Sequence, residues 1–163
     1  VNKILATVLV FANCSAFAAT AASDFVGTYA LVHEQVEGKT FCFNGIQIVL
    51  EGNEMSLYRQ DIADFAMFKA QVNGSPREVR GSHGEAMSSS VGENTVTLDR
   101  NGVLIFAYTG IEKVMGIPMA RSKDAYALRL SQDGKSIEAI RSTFDGVMTG
   151  IGSKGKATCQ YRR

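Results

Sequence analysis

The chain has 163 residues, 17 basic against 16 acidic, no tryptophan and a hydrophobic share of 45%. That length suits one domain with one core, and so balanced a charge argues against nucleic-acid binding, which depends on clustered Lys and Arg neutralising phosphates. The densest basic group, Lys154, Lys156, Arg162 and Arg163, reads as solvated charge near the end of the chain.

Residues 1 to 18 read as a bacterial-type signal peptide. Lys3 supplies the positive end, Ile4 to Phe11 an apolar run, and Ala16-Phe17-Ala18 a small-x-small cleavage pattern. So short a run does not span a bilayer, so the expected product is a domain of residues 19 to 163 in the periplasm or secreted, with no membrane span. Cys14 would leave with the leader, and Phe11-Ala12-Asn13 before it does not fit a lipid-attachment site. Cys42 and Cys159 remain, an even pair in an oxidising compartment, and are expected to form one disulfide. Neither belongs to a CxxC or has a His at ligand spacing, so no metal site is expected.

From there the chain reads as strands and turns. Val26 to His33 is the first expected strand. Thr40 to Phe43, Asn44-Gly45 and Ile46 to Leu50 read as a hairpin, because Asn-Gly supplies the positive φ angles of a two-residue turn. Met55 to Arg59 and Phe65 to Val72 follow, with Ala63 to Gln71 and Ile111 to Met115 as the two places where a short helix competes. Gly74 to Gly92, carrying Ser75, Pro76 and the Ser88-Ser89-Ser90 run, is expected as a mobile mouth loop. Two further hairpins are centred on Asn101-Gly102 and Asp133-Gly134, and Met148 to Ile151 and Ala157 to Tyr161 are the last expected strands. The sum is an all-β fold: a single antiparallel up-and-down β-barrel of about eight to ten strands. An immunoglobulin-like sandwich fits less well, since no Trp is available to pack on the cysteine pair.

Few residues carry recognisable chemistry. Gly150 to Gly155 matches GxGxxG, and Gly150 to Lys156 follows a phosphate-binding loop until Ala157 stands where Ser or Thr is needed; with a strand expected next, no helix N-terminus is available to hold phosphate. His83, in Gly81-Ser82-His83-Gly84-Glu85, reads as a loop histidine and His33 as a strand end. Asp61 and Asp64 read as turn decoration, without an apolar setting to raise a pKa. No enzyme activity, metal or cofactor is therefore expected.

The opening Asp24-Phe25-Val26-Gly27-Thr28-Tyr29 and the closing Cys159-Gln160-Tyr161-Arg162-Arg163 resemble the two ends of lipocalin-like, calycin-type barrels, in which a Gly-x-aromatic step starts the first strand and an Arg packs over that aromatic. The resemblance implies an up-and-down barrel with an internal cavity, closed at its base by Gly27, Tyr29 and Arg162. Tyr29 stands where that family carries Trp. The expected function is binding of a small hydrophobic or amphipathic ligand without catalysis. Alternation and bulk nominate Ile46, Ile48, Leu57, Met67, Phe106, Tyr108, Tyr126 and Leu128 as pocket residues. The alternative is a cell-envelope interaction protein, an inhibitor or accessory subunit, using the Ser82 to Ser90 loop on a filled barrel.

Overall fold

The computed structural model describes residues 20–83 and 88–163; the expected signal peptide, residues 1 to 18, lies outside them. A short 3-10 turn, Ala22–Phe25, leads into ten strands: β1 Gly27–Gly38, β2 Gly45–Glu51, β3 Glu54–Arg59, β4 Ile62–Gln71, β5 Arg77–His83, β6 Ser88–Leu98, β7 Val103–Val114, β8 Ile117–Leu130, β9 Ser136–Val147 and β10 Gly152–Arg162. All pair antiparallel in the order β4-β3-β2-β1-β10-β9-β8-β7-β6-β5. The first and last strands are partners in mid-sheet, so the break falls between β4 and β5. There the barrel is nearly closed by a parallel bridge, Val72 with Val96, by Asn73 donating from its backbone to Val96 (2.8 Å), and by Arg77 donating to Glu54 (2.6 Å).

One half of the interior is a packed core. Tyr29, Ile46, Leu57, Phe106 and Leu128 are fully buried there with Phe25, Met55, Ile137 and Tyr161. Its base is closed by Arg163, whose Nε and Nη2 donate to the Tyr29 hydroxyl (3.0 and 2.7 Å) and whose Nη2 also reaches the Asp24 and Val26 carbonyls (both 2.8 Å). Gly27, at φ 154°, lies beneath it, and a Cβ there would lie 3.0 Å from Arg163 Nε. The base residue is thus Arg163, one position beyond the Arg162 expected, because Tyr161 points into the core and its exposed neighbour Arg162 cannot.

The Asn101-Gly102 and Asp133-Gly134 hairpins form as expected, with Gly102 and Gly134 at φ of 72° and 69°. Asp99 organises the first, its Oδ1 accepting from the Asn101 and Val103 amides (both 2.8 Å). Four expectations are corrected. Asn44-Gly45 is no hairpin turn: β2 pairs with β1, Tyr29 opposite Ile46, and residues 39–44 fold into the barrel. Both helix alternatives are strand, β4 and β7. Gly74 to Gly92 is mostly the hairpin β5–β6, with the Ser88-Ser89-Ser90 run inside β6. Met148 to Ile151 is the turn joining β9 to β10, held by Gly150 N to Val147 O (2.9 Å); no helix follows Gly150, as the rejection of a phosphate loop requires.

The outer wall is mixed at mid-strand. Gln47, Thr97, Arg129, Glu138, Lys156 and Gln160 alternate outward from buried neighbours, around a small outward apolar row of Ile105, Ala127 and Ile140. Among the described residues no helix is long and apolar enough to cross a membrane.

Candidate functional site

The inward alternation that builds the core continues upward in polar residues. On β8, Leu128 and Tyr126 give way to Asp124; on β9, Ile137 and Ala139 give way to Arg141; on β6, Val96 gives way to Asn94. Strands β6 to β10 rise well beyond the ends of β2 and β3, leaving one tall wall and one low one.

Into this half folds the segment 39–44. Cys42 is bonded to Cys159 of β10, with Cα atoms 5.8 Å apart, so the expected disulfide fixes the segment to the wall. Lys39 N donates to Lys154 O (3.3 Å) and Thr143 Oγ1 to Lys39 O (3.3 Å). The close approach depends on Gly155, where a Cβ would lie 2.6 Å from Thr40 Cβ and 2.7 Å from Lys39 O. Phe43 stacks on Tyr126 with centroids 5.3 Å apart.

Arg141 ties segment and wall together. Its Nε and Nη2 donate to the two Asp124 oxygens (3.1 and 2.7 Å), and Nη1 donates to the Phe41 carbonyl (2.9 Å). The guanidinium carbon sits 4.7, 4.6 and 5.4 Å from the rings of Phe41, Phe43 and Tyr126, a buried cation faced by aromatic quadrupoles. Burial alone would lower the Arg141 pKa; the bonded Asp124 carboxylate reverses that and the net direction is upward. Arg59 stacks over Phe43 from 4.7 Å and is itself paired with Asp61. Burial raises the Tyr126 pKa strongly and pushes Tyr161 up to about 12. Neither hydroxyl has a hydrogen-bond partner among the described residues.

A cavity of about 550 Å³ opens where β4 and β5 fail to pair. Its β4 flank is Phe65, Ala66, Met67, Phe68 and Lys69; its β5 flank runs Arg77, Glu78, Val79 and Arg80; Asn94, Tyr108 and Asp124 form the inner end. Asn94 is 5% exposed and its Oδ1 has no hydrogen-bond partner. Lys69 and Arg77 both pair with Glu54, which holds the Glu54 carboxyl below its ordinary range, chiefly through the Lys69 hydrogen bond. Arg80 pairs with Glu78. Tyr108 lies flat against the wall because Gly92 and Gly110 leave room: a Cβ there would fall 2.3 Å from Tyr108 Cε2 or 2.1 Å from its hydroxyl.

Of the eight expected pocket residues, Met67 and Tyr108 line this cavity. Ile46, Ile48, Leu57, Phe106, Tyr126 and Leu128 are at most 1% exposed in the core. Alternation and bulk miss Asp124, Arg141 and Asn94, although polar residues at inward positions of otherwise apolar strands are a legible signal. His33 is exposed at the bulge in β1, and His83 is the last residue of β5. Among the described residues no group of three or more His, Cys, Asp or Glu is placed to hold a metal ion.

Fold and site together define a nearly closed, ten-stranded antiparallel β-barrel, consistent with calycin-type barrels generally, with room beside its core for a small molecule. No family model matches the chain, and neither a curated protein nor a solved structure matches it.

Proposed function

We propose that this is an exported, non-catalytic, lipocalin-like barrel that binds a small amphipathic molecule in the seam cavity. The observation that carries the reading is the cavity itself: about 550 Å³, apolar along Phe65, Met67 and Phe68, and ending on a buried, unpartnered Asn94 oxygen. Small-molecule sites combine this size with a mostly apolar lining and a few placed polar groups. The ligand's apolar body lies against β4 and Tyr108, and its polar end brings a hydrogen-bond donor to Asn94 Oδ1. Export to the periplasm or beyond is supported by the leader-like residues 1 to 18 and by the buried disulfide. The base closure by Arg163, Tyr29 and Gly27 supports the lipocalin-like reading.

The test is titration with a fluorescent apolar probe, comparing the unaltered chain with Val79→Trp, which enters the cavity from the inward face of β5, opposite Gly92. Saturable one-site binding that the substitution abolishes is the expected result; binding unchanged by it would place the site elsewhere. The filled core favours a second reading, an envelope interaction protein without ligand, and crosslinking to one specific envelope protein with no probe binding would establish it instead.

A further inference from the structure

The tall end of the barrel carries a feature the cavity does not use. The β7–β8 turn presents Val114, Met115, Ile117 and Met119, and the β9–β10 turn presents Met148 and Ile151. All are exposed, Met115 by 70%, Ile117 by 62% and Ile151 by 77%. Pairing of Ala120 with Val147 sets the two turns side by side at one end of the molecule. Nothing in the fold needs large apolar side chains there, and contiguous exposed apolar surface marks an interaction site.

Behind these tips lies a mainly cationic collar. Arg121 and Lys123 on β8, and Lys154 and Lys156 on β10, occupy outward positions around Phe144 of β9. None forms an ion pair among the described residues. Outward positions of β9 between them are Ser142, Phe144 and Gly146, with no carboxylate. Of the nearby acids, Glu112 and Asp145 share the opposite, mouth-facing side with Asp124, while the outward carboxylates flank the collar at its margins, Glu37 of β1 opposite Lys156 and Glu93 of β6 two strands from Lys123. A notch of about 470 Å³ is cut into this collar, lined by Arg121, Lys123 and Lys154 over Phe144 and Met148.

The geometry points to peripheral docking of this end on an anionic phospholipid membrane, with the two hairpin tips entering the headgroup and acyl boundary and the cations meeting lipid phosphates. Arg121 is four residues from Ile117 and Lys154 three from Ile151, which along a strand is about 10 to 13 Å. That separation matches an apolar tip buried about 5 to 10 Å and charges held at the phosphates. A second copy of the chain is a poor occupant, since self-association would set two unpaired cationic collars against each other.

The absence of tryptophan makes the test clean. Full-length chain carrying Ile117→Trp would be mixed with vesicles of phosphatidylcholine alone, or with phosphatidylglycerol added, bearing acyl-brominated lipid. A matched Asn101→Trp chain places the probe at the opposite end. Expected are a blue shift and bromine quenching for Ile117→Trp on phosphatidylglycerol vesicles only, none for Asn101→Trp, and a partition coefficient lowered on the order of a hundredfold by Arg121→Gln/Lys123→Gln/Lys154→Gln, at roughly 1 kcal/mol per cation. Circular dichroism checks that each variant is folded. No quenching at residue 117, equal quenching at both probes, or indifference to the three cations would overturn the proposal. So would a concentration-dependent blue shift without vesicles, which would assign the tips to self-association.

Discussion

Replacing Arg141 by Met should be among the most damaging substitutions in the barrel. The side chain is 8% exposed, makes three hydrogen bonds of 2.7 to 3.1 Å and faces three aromatic rings. Methionine fills most of the space but leaves the Asp124 carboxylate, 18% exposed, without its counter-charge, and leaves the Phe41 carbonyl unbonded. Removing one member of such a pair costs about 3 to 5 kcal/mol, mainly because the other charge stays buried. For a domain of this size that is a fall in Tm of roughly 10 to 15 °C. The assay is urea unfolding followed by circular dichroism, with equal slopes required before midpoints are compared. Arg141→Met/Asp124→Leu removes both charges and should recover at least half of the loss. A single variant within about 0.5 kcal/mol of the parent, or a double variant as costly as the sum of both singles, would refute the claim that Arg141 stabilises through Asp124 and the inserted segment.

Cys42→Ala/Cys159→Ala opens a loop of 117 residues and should cost up to about 5 kcal/mol on the chain-entropy account, read as a lower urea midpoint. Gly110→Ala drives a methyl into the Tyr108 ring; displacement of that ring into the cavity should weaken apolar-probe binding, at a stability cost of about 1 to 3 kcal/mol. Alkaline titration followed by phenolate absorbance should find Tyr29, Tyr126 and Tyr161 resistant in the folded state, since burial raises all three. A raised folded pKa stabilises fully below the unfolded value near 10 and is lost as pH climbs through the folded value, so for Tyr161 stability should drain between about pH 10 and 12. Phenolate absorbance appearing for all tyrosines well before unfolding would contradict this.

The parts of the fold that could be read from sequence are those where local chemistry decides. Gly102 and Gly134 occupy left-handed backbone positions at hairpin ends, and Cys42 and Cys159, the two cysteines beyond the leader-like stretch, pair with each other. Asn44-Gly45 misled because Phe41 and Phe43 look like strand residues. They are apolar because the segment lies against Tyr126 and Arg141, a tertiary reason no local pattern contains. The β5–β6 hairpin is hidden for the opposite cause: its inward positions Arg77, Gly81, Ser90, Gly92 and Asn94 break the apolar alternation that Val79 and Val96 would otherwise carry, because they face the open half of the barrel. Pocket residues chosen for bulk fell mostly in the packed half, since bulk marks a filled interior as readily as a ligand site. The inward register of Tyr126 and Leu128 continues directly to Asp124, whose charge at an inward position marks the polar half.

Native mass spectrometry of the chain isolated from its own cells, beside Val79→Trp handled identically, tests the central claim most directly. The expected result is a one-to-one small-molecule adduct on the unaltered protein, lost on denaturation and missing from the variant. A bare mass for the unaltered protein, with no apolar probe taken up at the seam, would contradict the binding-barrel account.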